Sequence, residues 1–85
     1  MVKVVIYTTP YCPYCVRAKQ LLNHKGAAFE EIDVGDDDEL REKMIEESGG
    51  RRTVPQIFID GKAIGGCDEL YALDQEGELD RLLAA

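Results

Sequence analysis

The sequence predicts an α/β fold in which helices flank a four-stranded mixed sheet. Strand-like and helical segments alternate in the order β-α-β-α-β-β-α, and Asp60-Gly61 separates the last two strand-like segments. The first half of this order is typical of a parallel β-α-β unit, whereas Asp-Gly between two strands is a strong signal for an antiparallel hairpin. We expect residues 1–85 to form a single domain, because a chain of 85 residues is too short for two hydrophobic cores.

The predicted β-α-β unit occupies the first part of the chain. Residues 2–8 are rich in β-branched and aromatic side chains, which predicts a buried strand. A helix is predicted over about 13–25, because Pro13 is favoured in a first helical turn and Gly26 stands where a left-handed C-cap is expected. Residues 28–34 are predicted to form a second, more exposed strand.

The remaining elements follow from capping and turn signals. Acidic residues open the second helix, where Asp36 and Glu39 have the spacing of a capping box. Residues 53–59 and 62–65 are the predicted strands of the hairpin. A short third helix opens near Cys67, and one or two amphipathic helical turns follow it.

Charge limits the choice of partners. The net charge is −7, which argues against nucleic acid and anionic membranes, because both are negatively charged. The sequence has neither a long apolar run nor a signal-peptide pattern, so we expect a cytoplasmic monomer that does not contact a membrane. Residues 1–29 nevertheless contain four Lys and Arg residues and no acid, and Arg51, Arg52 and Lys62 form a second basic segment. Such segments indicate either a bound small anion or the ordinary separation of charged helix faces.

The cysteines carry the clearest chemical signal. Their number is odd, which argues against a structural disulfide framework. Cys12 and Cys15 follow a strand and open a helix, and in that context a C-x-x-C pair is typical of a redox motif. Cys12 meets the unpaired N–H groups of the helix start, which stabilise a thiolate. We therefore interpret Cys12 as the nucleophile and the more buried Cys15 as the resolving thiol.

A zinc site is the structural alternative. Cys12, Cys15, Cys67 and His24 supply four possible ligands. Structural zinc sites usually use two close pairs, whereas Cys67 and His24 are each isolated in the sequence. We expect no metal site, and His24 is interpreted as a surface residue near a helix C-terminus.

Two further segments indicate a ligand site. Val54-Pro55 precedes a strand, so it marks either an ordinary strand entry or a bend whose free backbone edge pairs with an extended peptide. Gly65-Gly66 opens a helix and can present N–H groups to a carboxylate. Asp68 or Glu69 can then pair with an ammonium group. The alternative is that Asp68 only caps the helix. With Arg51-Arg52 and a reactive thiol, these features describe a site for a thiol tripeptide with a free amine and two carboxylates.

At three motifs the sequence resembles the glutaredoxins, specifically the small bacterial type with two active-site cysteines. The motifs are Tyr-Thr-Thr-Pro-Tyr-Cys-Pro-Tyr-Cys at 7–15, Thr-Val-Pro-Gln-Ile-Phe-Ile at 53–59 and Gly-Gly-Cys-Asp-Glu at 65–69. The resemblance covers essentially the whole chain. It implies a thioredoxin fold, a cis peptide before Pro55, and glutathione-dependent reduction of protein-glutathione mixed disulfides and protein disulfides.

The resemblance also implies which residues act. Cys12 and Cys15 are the implied catalytic residues, and the implied contacts of glutathione are Tyr14, Arg51, Thr53, Val54, Pro55, Cys67, Asp68 and Glu69. Glutathione is then a co-substrate, with no bound cofactor, and the partners are disulfide-containing or glutathionylated client proteins and an external NADPH and glutathione reductase system. Many relatives have Lys where this chain has Thr9, so thiolate stabilisation depends more on the helix start and on Arg17 or Arg51.

Two rival functions share this fold. One is a redoxin that a thioredoxin reductase reduces directly, which would need neither the carboxylate site nor Arg51. The other is an iron-sulfur cluster-binding dimer that holds the cluster between Cys12 thiolates and two glutathiones. Pro13 and Tyr14 are bulky residues at the helix start and resemble the oxidoreductase members more than the cluster carriers.

Overall fold

Strands and helices follow one another in the predicted order in the computed structural model, which describes residues 2–84. The elements are β1 Val4–Thr8, α1 Pro13–His24, β2 Glu30–Asp33, α2 Asp38–Glu47, β3 Gln56–Ile59, β4 Lys62–Gly65, α3 Cys67–Gln75 and α4 Glu78–Ala84. Within the described residues, no helix is long and apolar enough to cross a membrane.

The four strands form one mixed sheet in the order β2-β1-β3-β4. β1 pairs in parallel with β2 and antiparallel with β3, and β3 pairs antiparallel with β4. The turn between β3 and β4 has positive φ at both Asp60 (51°) and Gly61 (80°), as a two-residue hairpin turn of type I′ requires. This is the thioredoxin fold that the resemblance implies, and the predicted fold class is confirmed.

Alternation along the strands separates the core into two layers, because successive side chains point to opposite faces of a sheet. One face packs against α1, α3 and α4 through buried residues such as Ile6, Leu22 and Leu70. The other face packs against α2 around Tyr7 and Met44. Helix α1 therefore rests on a mainly apolar layer.

Several predicted boundaries were too wide. β1 begins at Val4 and β2 covers only Glu30–Asp33, because the ladder between them joins Val5–Thr8 to those four residues. β3 begins at Gln56 instead of residue 53, since Pro55 has no N–H to donate to a ladder. The predicted cap of α2 was wrong by one residue: Asp37, not Asp36, accepts the N–H of Leu40, at 3.0 Å.

Candidate active site

The loop between β1 and α1 places the first cysteine at the helix start. Tyr11 has φ of 61°, and this left-handed residue turns the chain directly before Cys12. Cys12 is the N-cap of α1, and its Sγ accepts the backbone N–H of Cys15 at 3.1 Å. The sulfur thus satisfies one of the unpaired donors of the helix start, and negative charge on it is favoured there.

Cys15 lies in a different environment although it is only one turn away. Its side chain is 2% exposed. Burial, followed by the hydrogen bond with Cys12, raises the pKa of the Cys15 thiol to about 12, against a smaller opposing effect of the Thr9 backbone and Lys19. Cys15 therefore keeps its proton at neutral pH, as a resolving thiol does until it is needed.

The turn before β3 lies alongside the first cysteine. The Val54-Pro55 peptide bond is cis, and the Val54 carbonyl oxygen lies 4.0 Å from the Cys12 Sγ. The buried Gln56 side chain donates hydrogen bonds to the backbone oxygen of Thr53 at 2.9 Å and to its hydroxyl at 3.2 Å. These bonds hold the turn in place, so of the two alternatives for Val54-Pro55 the structure has the bend, with the Val54 backbone beside the Cys12 loop.

The start of α3 forms the opposite wall of the site. Gly66 precedes the helix, and its N–H donates to the Glu69 Oε1 at 2.9 Å. Cys67 is buried, which raises the pKa of its thiol, and Asp68 is exposed. Glu69 thus takes the capping role that sequence reasoning considered for Asp68.

A single arginine links α2 to this wall. The Arg51 Nη2 lies 2.7 Å from the Glu69 Oε1. The Gly66 N–H, followed by the Arg51 guanidinium, holds the pKa of the Glu69 carboxyl below its usual range. The neighbouring Arg52 is exposed and does not line the groove between the two walls.

That groove has a volume of about 240 Å³ and brings together all eight residues predicted to contact glutathione. Its lining consists of Tyr14, Arg51, Thr53, Val54, Pro55, Gly66, Cys67, Asp68 and Glu69. Gly66 is the member that the predicted list omitted, although the Gly65-Gly66 turn had indicated it. At this turn the resemblance implied contacts only from the residues that follow Gly66, namely Cys67, Asp68 and Glu69.

The four possible zinc ligands, Cys12, Cys15, Cys67 and His24, do not form a metal site in the described residues. Among residues 2–84, no three His, Cys, Asp or Glu side chains are grouped so that they could hold a metal ion. His24 is exposed in the last turn of α1, as expected for a surface residue near a helix C-terminus.

Known proteins share this sequence and geometry. The family model described as glutaredoxin matches residues 4–64. Glutaredoxin 3 of Escherichia coli strain K12 is 58% identical over 83 residues, which cover 98% of this chain and 99% of that protein. The solution structure of a glutaredoxin from Brucella melitensis is 61% identical, with a TM-score of 0.85, and covers 98% of this chain and 89% of that one. The crystal structure of a buckwheat glutaredoxin-glutathione complex is 34% identical, with a TM-score of 0.87, and covers 95% and 76%.

The match is therefore strong at the level of both sequence and structure. It spans the segment that holds both cysteines, the cis-proline turn and the sheet that supports them. The chain belongs to the glutaredoxin family of thiol-disulfide oxidoreductases.

Proposed function

We propose that the chain uses glutathione to reduce protein-glutathione mixed disulfides and protein disulfides through Cys12-Pro13-Tyr14-Cys15. One observation carries this proposal: the Cys12 Sγ sits at a helix start, 4.0 Å from the Val54 carbonyl, where the groove begins. A thiolate there can attack a sulfur held by that groove. The glutathione in the buckwheat glutaredoxin complex supports the choice of ligand.

The groove suits a tripeptide with two carboxylates and one ammonium. We assign the backbone of Val54 to pairing with the extended peptide, and the N–H groups of Cys67 and Asp68 to one carboxylate. Arg51 is assigned to the glycine carboxylate, because a guanidinium binds carboxylates well. Tyr14, Thr53 and Pro55 line the groove beside them.

The proposed reaction on a glutathionylated protein needs one cysteine. The Cys12 thiolate attacks the glutathione sulfur, the mixed disulfide breaks, and the protein leaves as a thiolate that takes a proton from water. A second glutathione then attacks the adduct on Cys12. Cys12 is released as a thiolate and glutathione disulfide forms, so one free glutathione is consumed and the other half of the glutathione disulfide comes from the substrate.

A protein disulfide needs both cysteines. Cys12 attacks one sulfur and remains joined to the client, and Cys15 then attacks the Cys12 sulfur and releases the client as a dithiol. Two glutathione molecules reduce the resulting Cys12-Cys15 disulfide. The high pKa of Cys15 supports this order, because a protonated thiol does not compete with Cys12 for the first attack.

The wider context completes the proposal. NADPH and glutathione reductase, both external to the chain, return glutathione disulfide to glutathione, and no bound cofactor takes part. We place residues 1–85 in one domain that acts as a monomer in the cytoplasm. The net charge of −7 supports the monomer, and an odd number of cysteines suits a reducing compartment.

The test is a coupled assay with a glutathionylated peptide, glutathione, glutathione reductase and NADPH. We expect NADPH oxidation that depends on the chain and is absent with Cys12→Ser. In a parallel reaction, thioredoxin reductase replaces glutathione and its reductase. Turnover only in that second reaction would contradict the proposal and favour the directly reduced redoxin.

A further inference from the structure

An ion pair lies at one end of the groove, and both of its members line it. The Arg51 Nη2 and the Glu69 Oε1 are 2.7 Å apart. The same carboxylate oxygen accepts the Gly66 N–H at 2.9 Å. Glu69 therefore already has two donors on one oxygen, one from the glycine turn and one from the guanidinium.

The backbone of the arginine is also held. The Ser48 hydroxyl, next to the end of α2, accepts the Arg51 N–H at 3.2 Å and donates to the Arg51 carbonyl oxygen at 3.1 Å. Arg51 is thus fastened to α2 through its backbone and to α3 through its side chain. A long side chain that is still 46% exposed is restrained at both ends.

The ion pair lies directly against the glycine turn, where a side chain would meet it. A Cβ on Gly65 would lie 2.7 Å from the Glu69 Oε1 and 2.9 Å from the Arg51 Nη1. A Cβ on Gly66 would lie 3.2 Å from the Pro55 carbonyl oxygen. The ion pair therefore packs directly over the turn, and the backbone of Gly65 and Gly66 limits its position on that side.

From these contacts we infer that Glu69 is a positioning residue, which orients the Arg51 guanidinium toward the glycine carboxylate of glutathione and does not itself bind the ammonium group. This inference rests on the proposed function. A guanidinium has five N–H donors, so a contact through Nη2 leaves others for the ligand. Restraining Arg51 before binding lowers the entropy that binding would otherwise cost. The exposed Asp68 then remains as the ammonium partner.

The test follows the first half-reaction alone, in the full chain with reduced cysteines. One peptide carries glutathione, and a second carries glutathione whose glycine carboxylate is a monoethyl ester. The measured quantity is the single-turnover rate at which peptide thiol is released. Four proteins are compared: wild type, Glu69→Gln, Arg51→Ala and the double variant.

With the glutathione adduct, we expect Glu69→Gln to slow release by about two- to fivefold, the size that the coupling of an exposed ion pair supports. With the ester, the same variant should match wild type, because the carboxylate that Arg51 meets has lost its charge. In the Arg51→Ala background, Glu69→Gln should add no further loss. Gln keeps an oxygen for the Gly66 N–H and loses only the charge that Arg51 meets, so the chain should stay folded, with a thermal midpoint lower by at most about 4–8 °C.

Other outcomes contradict the inference. Equal slowing on both adducts, or the same slowing with and without Arg51, would mean that Glu69 contacts the ligand elsewhere or acts only through the helix start. Glu76→Gln, an exposed charge change at the other end of α3, is the matched control and should keep both rates. Failure of the wild type to release either peptide would instead contradict the proposed function itself.

Discussion

Two helix starts face each other across the groove, and they use the same unpaired N–H groups differently. At α1 the side chain that caps the helix is the reactive one, since the Cys12 Sγ accepts the Cys15 N–H, and the first turn contains no acid. At α3 the cap residue is Gly66, and the first turn contains Asp68 and Glu69. One start thus holds a sulfur, and the other presents backbone donors beside two carboxylates.

The difference shows how neighbouring charge decides what a helix start can do. Without an acid nearby, the N–H groups and the helix dipole favour a thiolate. Beside acids, the same groups can meet a carboxylate while a side chain meets an ammonium, which suits an amino acid portion of a ligand. The nucleophile and the carboxylates of the α3 start therefore lie at different walls of the groove, and substitutions can test each wall separately.

The largest expected effect separates the two cysteines of α1. Cys12→Ser should abolish both the removal of glutathione adducts and the reduction of protein disulfides, because the remaining Cys15 is buried, and burial raises the pKa of its thiol. Cys15→Ser should keep most adduct removal and lose efficient reduction of protein disulfides. Both activities and the thermal midpoint are measured for each variant. Equal loss of activity with an early melt in both would favour a structural role such as zinc binding.

The next effect concerns the ligand side. Arg51→Glu should slow reaction with glutathionylated peptide by about tenfold, since a charge-assisted hydrogen bond is lost and a repulsion is added. Arg52→Glu makes the same charge change at a residue outside the groove and should cost much less. Rates are compared at low and high salt, and the Arg51 defect should shrink as salt screens the repulsion. Equal rate losses from the two substitutions would mean that the basic segment attracts glutathione by its overall charge and not by a specific contact of Arg51.

A smaller effect is expected from the glycine turn. Gly65→Ala puts a Cβ within 2.9 Å of both members of the ion pair and strains a residue with φ of +116°. Gly50→Ala strains a residue with φ of +102° and meets nothing within 4 Å. Both should lower the thermal midpoint, since a left-handed Ala costs about 1–2 kcal/mol. Only Gly65→Ala should also slow reaction with the glutathione adduct by a few-fold. If Gly65→Ala reacts with the glutathione adduct at the wild-type rate, the position of the Arg51–Glu69 ion pair does not matter for this reaction.

The smallest effect is a pH dependence of stability. The pKa of Glu69 is lower in the folded chain than in the unfolded chain, so its stabilising contribution is complete above about pH 4.3 and is lost as pH falls through the folded value. After solvent screening, the contribution is at most about 1 kcal/mol. The difference in thermal midpoint between wild type and Glu69→Gln should therefore vanish at low pH. Carboxyl groups titrate roughly between pH 3 and 7. A difference in thermal midpoint that stays constant over this range would contradict a stabilising ion pair between Arg51 and Glu69.

Much of the fold was predictable because its signals are local. The Asp60-Gly61 turn, the helix start at Pro13 and the left-handed Gly26 (φ of +70°) that follows the C-cap of α1 depend on a few adjacent residues. Strand ends were less predictable, because β2 stops where its partner stops. The cap of α2 was missed by one residue because three adjacent aspartates offer the same chemistry, and only packing chooses Asp37.

The site was predictable as a set of residues but not as a set of contacts. Local context identified Cys12 and Cys15, and the resemblance supplied the residues that the groove brings together. The pairing of Arg51 with Glu69 joins residues that are 18 positions apart, so no spacing rule could indicate it. The sequence therefore left Asp68 and Glu69 as equal candidates for the ammonium, and we propose Asp68 because Glu69 already contacts Arg51 and the Gly66 N–H.

The most direct test of the central claim is mass spectrometry of the Cys15→Ser chain after the first half-reaction, with one equivalent of glutathionylated peptide and no free glutathione. Free thiols are blocked at the end of the reaction, and the modified residue is located by peptide mapping. We expect one glutathione on Cys12, none on Cys67, and peptide released with a free thiol. Peptide attached to Cys12, glutathione on Cys67, or glutathione left on the peptide would contradict it.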